Sequence, residues 1–441
     1  MTTLHQAFFE TLLKTQFLPS DRMLKYQRGL IERLIRHARA NVPYYRDQHR
    51  LDVLFRPDDS IDWSRWHDVP VLTRTQAQDN AKLLYAEVVP PECGEVREGY
   101  TAGSTGAPLS FRVNTIAAAA GTALLERGVV WAGLPEQFSL AWFRNDRTGE
   151  AAFPHGISYE MTMRGATRMM HHLAVQTPFE DQGRWLARLR PDVVMGYPGA
   201  LALLAQNLPS GLDDHRFRLA VCVGEVTTDE MRATIEQNFR CPVIDLYSGS
   251  EFGPVAVEDQ RLQRLFLSEE TIFVEFRQPE GVAGLEQGLA EIIFTPFYNY
   301  AMPLIRYVCG DFAVVDADPP PDPRTLRRLL RVAGRDRNVF ILPSGRRWWP
   351  TYQNKILCDF LDYKQIQFAQ TAPNRIEIRF ASDQSEPIKD GDRLLAYLRA
   401  ATPEAMDIAV ARVAEIPRRA SGKYEYATCE IGGTAALRQQ G

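Results

Sequence analysis

The sequence predicts an α/β protein: a large N-terminal domain with parallel α/β sheets and a small barrel-like sheet, followed by a small α+β C-terminal domain. Three observations predict it. Between about residues 95 and 315, short β-branched runs such as VVMGY, LAVCVGE and PVIDLY alternate with helical stretches at 182–190 and 228–239, the pattern of βαβ units. From Thr271 to Val315 the pattern changes to FVEF, AEIIFT, LIRYV and FAVV joined by glycine- and proline-rich turns, which predicts an antiparallel sheet or small barrel. Beyond Arg335, the runs VFIL, QIQFAQ, RIEIRF and DIAVARV, with a helix near 391–400, predict a separate α+β unit. At 441 residues the chain exceeds the size at which one core stops growing, so domains at 1–334 and 335–441 are expected.

The N-terminal run MTTLHQAFFETLLKTQ is broken by charges and precedes no small-residue cleavage site, so no secretory signal is expected. Residues 21–40 place Met23, Leu30, Ile31, Leu34 and Ile35 at helical spacing with charges opposite, which predicts an amphipathic helix. Pro43 excludes helical geometry at the residue before it, so the helix should end there and a coil carrying Tyr44 and Tyr45 should follow. The most apolar stretch, 115–134, holds Glu126 and Arg127 near its middle, and their cost in lipid points to a buried helix rather than a membrane span. A cytoplasmic protein is expected. The segment DADPPPDP at 316–323 is too short to act as a long interdomain tether.

Composition excludes several classes. Hydrophobic residues make up 45% and charged residues 24%, as in ordinary globular proteins, and a net charge of -4 offers no phosphate-neutralising face for nucleic acid. The six cysteines are scattered, the nearest two being Cys222 and Cys241, so neither a CxxC metal knuckle nor a disulfide framework is expected. His171 and His172 are adjacent and point in different directions on either a helix or a strand, which favours ordinary surface or core roles.

The stretch Tyr100 to Pro108, YTAGSTGAP, is followed directly by the strand-like LSFRV. Gly103 and Gly106 permit backbone conformations closed to other residues, while Thr101, Ser104 and Thr105 place hydroxyls beside backbone N–H donors, so the loop could wrap a polyphosphate. It is not a Walker loop, since the GxxxxGK[ST] spacing is absent, and on composition alone it reads as a plain turn. Further motifs follow in order: YPGAL at 197–201, VGE at 223–225, DLYSGSEFGP at 245–254, AMPLIRYVCGD at 301–311, GRDRNVFILPSGRRWWP at 334–350 and IPRRASGK at 416–423. Together with LIRHARANVPYYR and VPVLTRTQ near the N-terminus, this series resembles the adenylate-forming superfamily. Within it, the chain looks like the phenylacetate–CoA ligase family, in the branch associated with capsule and polysaccharide gene clusters.

The resemblance implies roles residue by residue. In DLYSGSE it implies that Glu251 holds Mg²⁺ on the ATP phosphates, Tyr247 meets the adenine face and Ser250 meets the α-phosphate. Ser248 replaces the family's usual glycine, and a side chain there would narrow the acyl pocket. Asp311 would bind the ribose hydroxyls, and Arg335 would also reach the nucleotide. The hinge between domains falls on Asp336 or Arg337, because the family's usual paired aspartate is absent. Lys423 would contact the acyl carboxylate and α-phosphate during adenylation. Thr101, Ser104, Thr105 and Gly106 would cradle ATP, and Ala107 stands where many relatives carry lysine, so Arg112 is a candidate replacement. The acyl pocket would lie near Tyr197, Gly224, Glu225 and Ser248, with Gly224 and Glu225 also beside the nucleotide. A buried Glu225 suits a substrate bearing a hydroxyl or amine, or else a backbone contact. The cysteine and histidine that some relatives carry after the glutamate motif are absent, so no structural zinc is expected. Trp348 and Trp349 are expected to pack the small domain against its partner.

The function so implied is ATP- and Mg²⁺-dependent activation of a carboxylic acid, aromatic by family, to an acyl-AMP, then transfer to a thiol, coenzyme A or a carrier protein. Because Lys423 lies in the small domain, closure would assemble the first site and rotation of that domain would admit the thiol. AMP transfer to a hydroxyl, acyl transfer to an amine or hydroxyl, and a non-catalytic binding role are the alternatives. The resemblance also admits a homodimer. Neither nucleic acid nor membrane is an expected partner.

Overall fold

The computed structural model describes residues 3–101, 108–146, 148–163, 166–208, 211–212, 214–279, 282–283, 287–335, 338–348, 350, 352, 354–418 and 423–431. They fall into two compact units. The first comprises Met1–Arg277, Ile292–Cys309 and Val315–Val332, and the second Gln278–Glu291, Gly310–Val314 and Ala333–Gly441.

The first unit is built on parallel strands Ala166–Ala174, Ser139–Arg144, Val193–Gly196, Leu219–Val223 and Val243–Gly249, adjacent in that order. Strand Ile157–Met163 runs antiparallel along one edge, and strands Gly253–Asp259 and Arg264–Leu267 continue antiparallel from the other. Helices fill the crossovers where the sequence predicts them. Phe179–Leu189 opens on Glu180 and Asp181, buries Trp185 and Leu186, and ends with Arg190 in the left-handed conformation. Asp229–Phe239 is capped by Thr228, whose side chain accepts the Met231 N–H.

Alternation along the strands sorts residues to two faces. Ala141, Phe143, Val194, Ala220 and Val243 join Trp185, Leu201 and Phe239 in one core. Leu140, Val193, Leu219 and Ile244 form a second on the opposite face, with Trp142, Met195 and Val221 packed against it. Helix Thr115–Trp131 buries Glu126 and Arg127, as its charges required, by pairing them: Glu126 meets Arg168 through two bonds of 2.8 and 3.0 Å, and Arg127 meets Glu270.

Helix Ser20–Asn41 buries Met23, Leu30, Ile31, Leu34 and Ile35, the residues its periodicity selected. Val42 is extended before Pro43, but the expected coil is instead a helical turn, Pro43–Arg46, with Tyr44 and Tyr45 buried. Proline restricts the residue before it and is itself well suited to a first helical position, so the chain turns and restarts. Among the described residues no helix is long and apolar enough to cross a membrane.

The second unit carries a sheet ordered Asp407–Arg412, Arg375–Ala381, Gln365–Ala372, Ala427–Cys429, with helix Gly391–Ala401 burying Leu394 and Leu398 in the same core. Trp348 is fully buried in that core, against Phe340 and Tyr352. It therefore packs the interior of its own unit. Trp349 lies outside the described residues.

Candidate functional site

In the first unit, strands Val96–Tyr100 and Ser110–Asn114 form a hairpin whose register carries Tyr100 opposite Ser110. Thr101 N–H donates to the Leu109 carbonyl at 2.9 Å, and Leu109 N–H donates to Thr101 Oγ1 at 2.9 Å. The glycine- and hydroxyl-rich segment is thus held at its base by a two-bond clasp. Ser104, Thr105, Gly106, Gly103 and Ala107 lie outside the described residues. Arg112 lies along this hairpin with its guanidinium on Glu98, at 2.7 Å, and over the Tyr85 ring.

Glu251 sits in the turn between strands Val243–Gly249 and Gly253–Asp259, buried, while Ser250 beside it is exposed. Its Oε1 accepts from Arg74 Nη1 at 3.0 Å and from the Tyr307 hydroxyl at 3.0 Å. Arg74 Nη2 donates to Thr101 Oγ1 at 3.0 Å. One guanidinium therefore links the base of the glycine-rich loop to the glutamate. Burial first, and the Glu251 charge second, push the Tyr307 hydroxyl well above its ordinary pKa, so it stays a donor.

The sequence positions Arg74 and Tyr307 through one local device. Thr73 and Gln76 form a capping box that starts helix Arg74–Asp79, and Leu72–Thr73 pairs in parallel with Tyr307–Val308. Arg306, with φ of 49°, holds the approach to that strand by donating to the carbonyls of His67 and Val69 and pairing with Glu275. Neither Arg74 nor Tyr307 was singled out from sequence. Both lie inside matching segments, VPVLTRTQ and LIRYV, but their convergence on Glu251 is a long-range contact that no local pattern encodes.

Tyr247 is buried on its strand with its ring 6.2 Å from Phe294, while Phe252 stacks on Phe294 at 4.6 Å. Ser248 is half-buried on the same strand. Tyr197 precedes helix Pro198–Gln206, and Glu225 Oε2 accepts the Gly199 N–H in that helix's first turn at 3.3 Å. Glu225 is half-buried rather than buried, and this backbone contact engages its carboxylate. Gly224, with φ of 82°, makes the turn that aims it.

Behind this turn lies a further acidic cluster. Asp245 accepts from the Thr227 hydroxyl and stands 3.6 Å from Arg232, and its N–H donates to Glu258 Oε2 at 2.6 Å, which also takes Arg232 at 2.7 Å. Burial, then the Glu258 charge, hold the Asp245 carboxyl well above the usual range.

Asp311, Arg335 and Lys423 belong to the second unit. Asp311 begins a strand just after Gly310, whose φ of 87° makes the tight turn, and pairs with Arg335 Nε at 2.8 Å. Arg335 N–H donates to Asn338 Oδ1 at 2.7 Å, and the Asn338 amide donates to the Ala427 carbonyl. Lys423 is half-buried in the coil before strand Ala427–Cys429. Asp336 and Arg337 lie outside the described residues.

Among the described residues no group of three or more His, Cys, Asp or Glu could cage a metal. The single carboxylate of Glu251 fits the mode in which Mg²⁺ is held by one or two carboxylates plus substrate phosphates and water. Both bonds described above converge on Oε1, and neither involves Oε2.

No family model matches the chain. It is 27% identical to the phenylacetate–coenzyme A ligase of Pseudomonas putida over 342 residues, covering 75% of this chain and 74% of that protein. It is 28% identical to the protein CapK of Staphylococcus aureus over 154 residues, 34% of this chain and 33% of that one. Among solved structures it is similar to a 2-hydroxyisobutyryl-CoA ligase in the postadenylation state, with a TM-score of 0.69, 16% identity, and coverage of 97% and 94% of the two chains. That structural likeness concerns the fold: large α/β part and smaller C-terminal part are those of the adenylate-forming ligases. The order of motifs and the sequence relatives go one step further. The chain is similar in sequence to phenylacetate–coenzyme A ligases over about three quarters of its length, and over a third of it to CapK.

Proposed function

We propose that the chain activates a carboxylic acid, aromatic in class, with ATP to an acyl-AMP, releasing pyrophosphate, and then transfers the acyl group to the thiol of coenzyme A. The observation that carries this reading is the Thr101–Arg74–Glu251 link, which ties the phosphate-loop candidate to the metal-ligand candidate. In the first half-reaction a carboxylate oxygen attacks the α-phosphorus and the bond to pyrophosphate breaks. In the second, the thiol sulfur attacks the acyl carbon and AMP leaves.

Each group on this chain has a task. Glu251 would hold Mg²⁺, which when bound offsets phosphate charge, while Arg74 and Tyr307 fix the carboxylate. Tyr247 would present its face to the adenine, and Ser250, exposed in the turn, would donate to the α-phosphate. Asp311 would accept from the ribose hydroxyls, oriented by Arg335. Lys423 would neutralise charge as carboxylate and phosphorus approach. Domains at 1–334 and 335–441 would divide this labour, Lys423 acting in the first half-reaction alone.

The test is pyrophosphate release across an acid panel, with and without coenzyme A, on wild type and Lys423→Ala. Wild type should release pyrophosphate only with an acid, and AMP faster with coenzyme A. The variant should lose acyl-AMP formation by about 100-fold or more, and thioester formation from supplied acyl-AMP far less. Equal loss of both half-reactions would sink the division of labour.

A further inference from the structure

The parallel strands of the first unit deliver Tyr197, Gly224 and Ser248 at or just beyond their C-terminal ends, the end at which ligands bind in open α/β sheets. Near that same end, on the two strands beyond Val193–Gly196, lies a group the proposed chemistry does not use. His172 is 2% exposed. Its ring is stacked on Tyr159, with centroids 5.4 Å apart and planes 16° apart, and meets Trp142 at 5.2 Å. In register, Trp142 lies between His172 on one neighbouring strand and Met195 on the other.

His172 Nε2 is hydrogen-bonded with the Tyr159 hydroxyl at 3.1 Å, and among the described residues Nδ1 is buried with no hydrogen-bond partner. An orphaned buried nitrogen of this kind is destabilising, since it has lost water and gained no partner. Its neighbour is satisfied, since His171 Nδ1 bonds the Ser158 hydroxyl at 2.8 Å on the other face. Protonation does not rescue His172. Burial, Arg144 and His171 lower its pKa to about 4, so the ring is neutral near pH 7. In a neutral imidazole Nδ1 is either donor or acceptor, depending on what Nε2 does with Tyr159. A hydroxyl satisfies both cases; a hydrocarbon satisfies neither.

Building on the adenylation reading above, we propose that His172 is a specificity-determining residue whose Nδ1 receives a hydroxyl carried by the acid, with Trp142 and Tyr159 as the aromatic walls. The substrate class is then a hydroxylated aromatic carboxylic acid. Glu225, half-buried and engaged with the Gly199 N–H, is not needed to read that hydroxyl.

The experiment is acid-dependent pyrophosphate exchange with matched pairs, such as 4-hydroxyphenylacetate against phenylacetate and the hydroxybenzoates against benzoate. Wild type should favour a hydroxylated member by about tenfold or more in kcat/KM, the scale of one buried hydrogen bond. In His172→Phe that preference should vanish while exchange with the deoxy acid stays within about threefold. His172→Leu removes the same nitrogen with a smaller side chain and reads the same ratio, which should fall, should His172→Phe misfold. No preference in wild type, or variants that lose both members of a pair equally, would overturn the assignment while leaving adenylation standing. Exchange with no acid at all would overturn adenylation, and this assignment with it.

Discussion

Two glutamates in the first unit meet arginines, and the difference between them separates a carboxylate that spends both oxygens on one partner from one that gathers two partners on a single oxygen. Glu126, fully buried in the long apolar helix, gives both carboxylate oxygens to Arg168 in a two-bonded pair. Glu251, in a turn at the end of a strand, gives Oε1 to both Arg74 and Tyr307. The first pair spends both carboxylate oxygens on one guanidinium. The second concentrates its partners on one oxygen, in a turn flanked by an exposed serine.

Breaking the first pair should have the largest effect on stability. Glu126→Ala takes both carboxylate bonds from the buried Arg168, and should cost about 3–5 kcal/mol in denaturant unfolding, with the rate per folded molecule unchanged. A smaller loss would mean that water reaches the pair. Glu251→Gln should show the reverse. The amide oxygen still accepts from Arg74 and Tyr307, so stability should change by about 1 kcal/mol or less, while acyl-AMP formation falls by about 100-fold and the Mg²⁺ requirement rises. Unchanged activity would remove Glu251 from the chemistry.

The smallest effect concerns pH. Asp245 has its pKa raised to about 7 in the folded protein, so folding favours its protonated form. Its contribution to stability is fully present below the ordinary carboxylate pKa and is lost as pH rises toward and through about 7. Thr227, Arg232, Glu258 and Cys222 are the groups that face it. Asp245→Asn should flatten that segment of the stability–pH curve, read as melting temperature between pH 4 and 8. A curve as steep as wild type's would assign the dependence to Glu258 instead.

Much of the architecture was legible because it is local. Periodicity marked helix Ser20–Asn41 down to the buried residues, and β-branched runs marked parallel strands Val193–Gly196, Leu219–Val223 and Val243–Gly249, though not Ser139–Arg144 or Ala166–Ala174, which carry no such run. Charges inside the apolar stretch predicted a buried helix and received partners 42 and 143 positions away, which no local pattern could name. The same limit hid Arg74, one of 51 basic residues, whose contact with Glu251 spans 177 positions. Trp348 was misread for a related reason: its sequence neighbours carry charge, yet its space is filled by Phe340 and Tyr352. The candidates Glu251, Asp311 and Lys423 rest on their ordered resemblance, since an isolated carboxylate or lysine in a turn carries no signature of its own.

The turn that carries Glu251 also bears on how this sequence can vary. A Cβ placed on Gly249 would stand 2.2 Å from the Phe252 ring, and that ring is already stacked on Phe294. No side chain enters at 249 without unstacking the pair that shapes the turn. Ser248, one position earlier, is half-buried and already differs from the family's glycine. Diversification of this hairpin is therefore channelled: drift and selection can act at 248, while 249 stays fixed, and a mutational library spread across the turn should return tolerance and intolerance at adjacent positions.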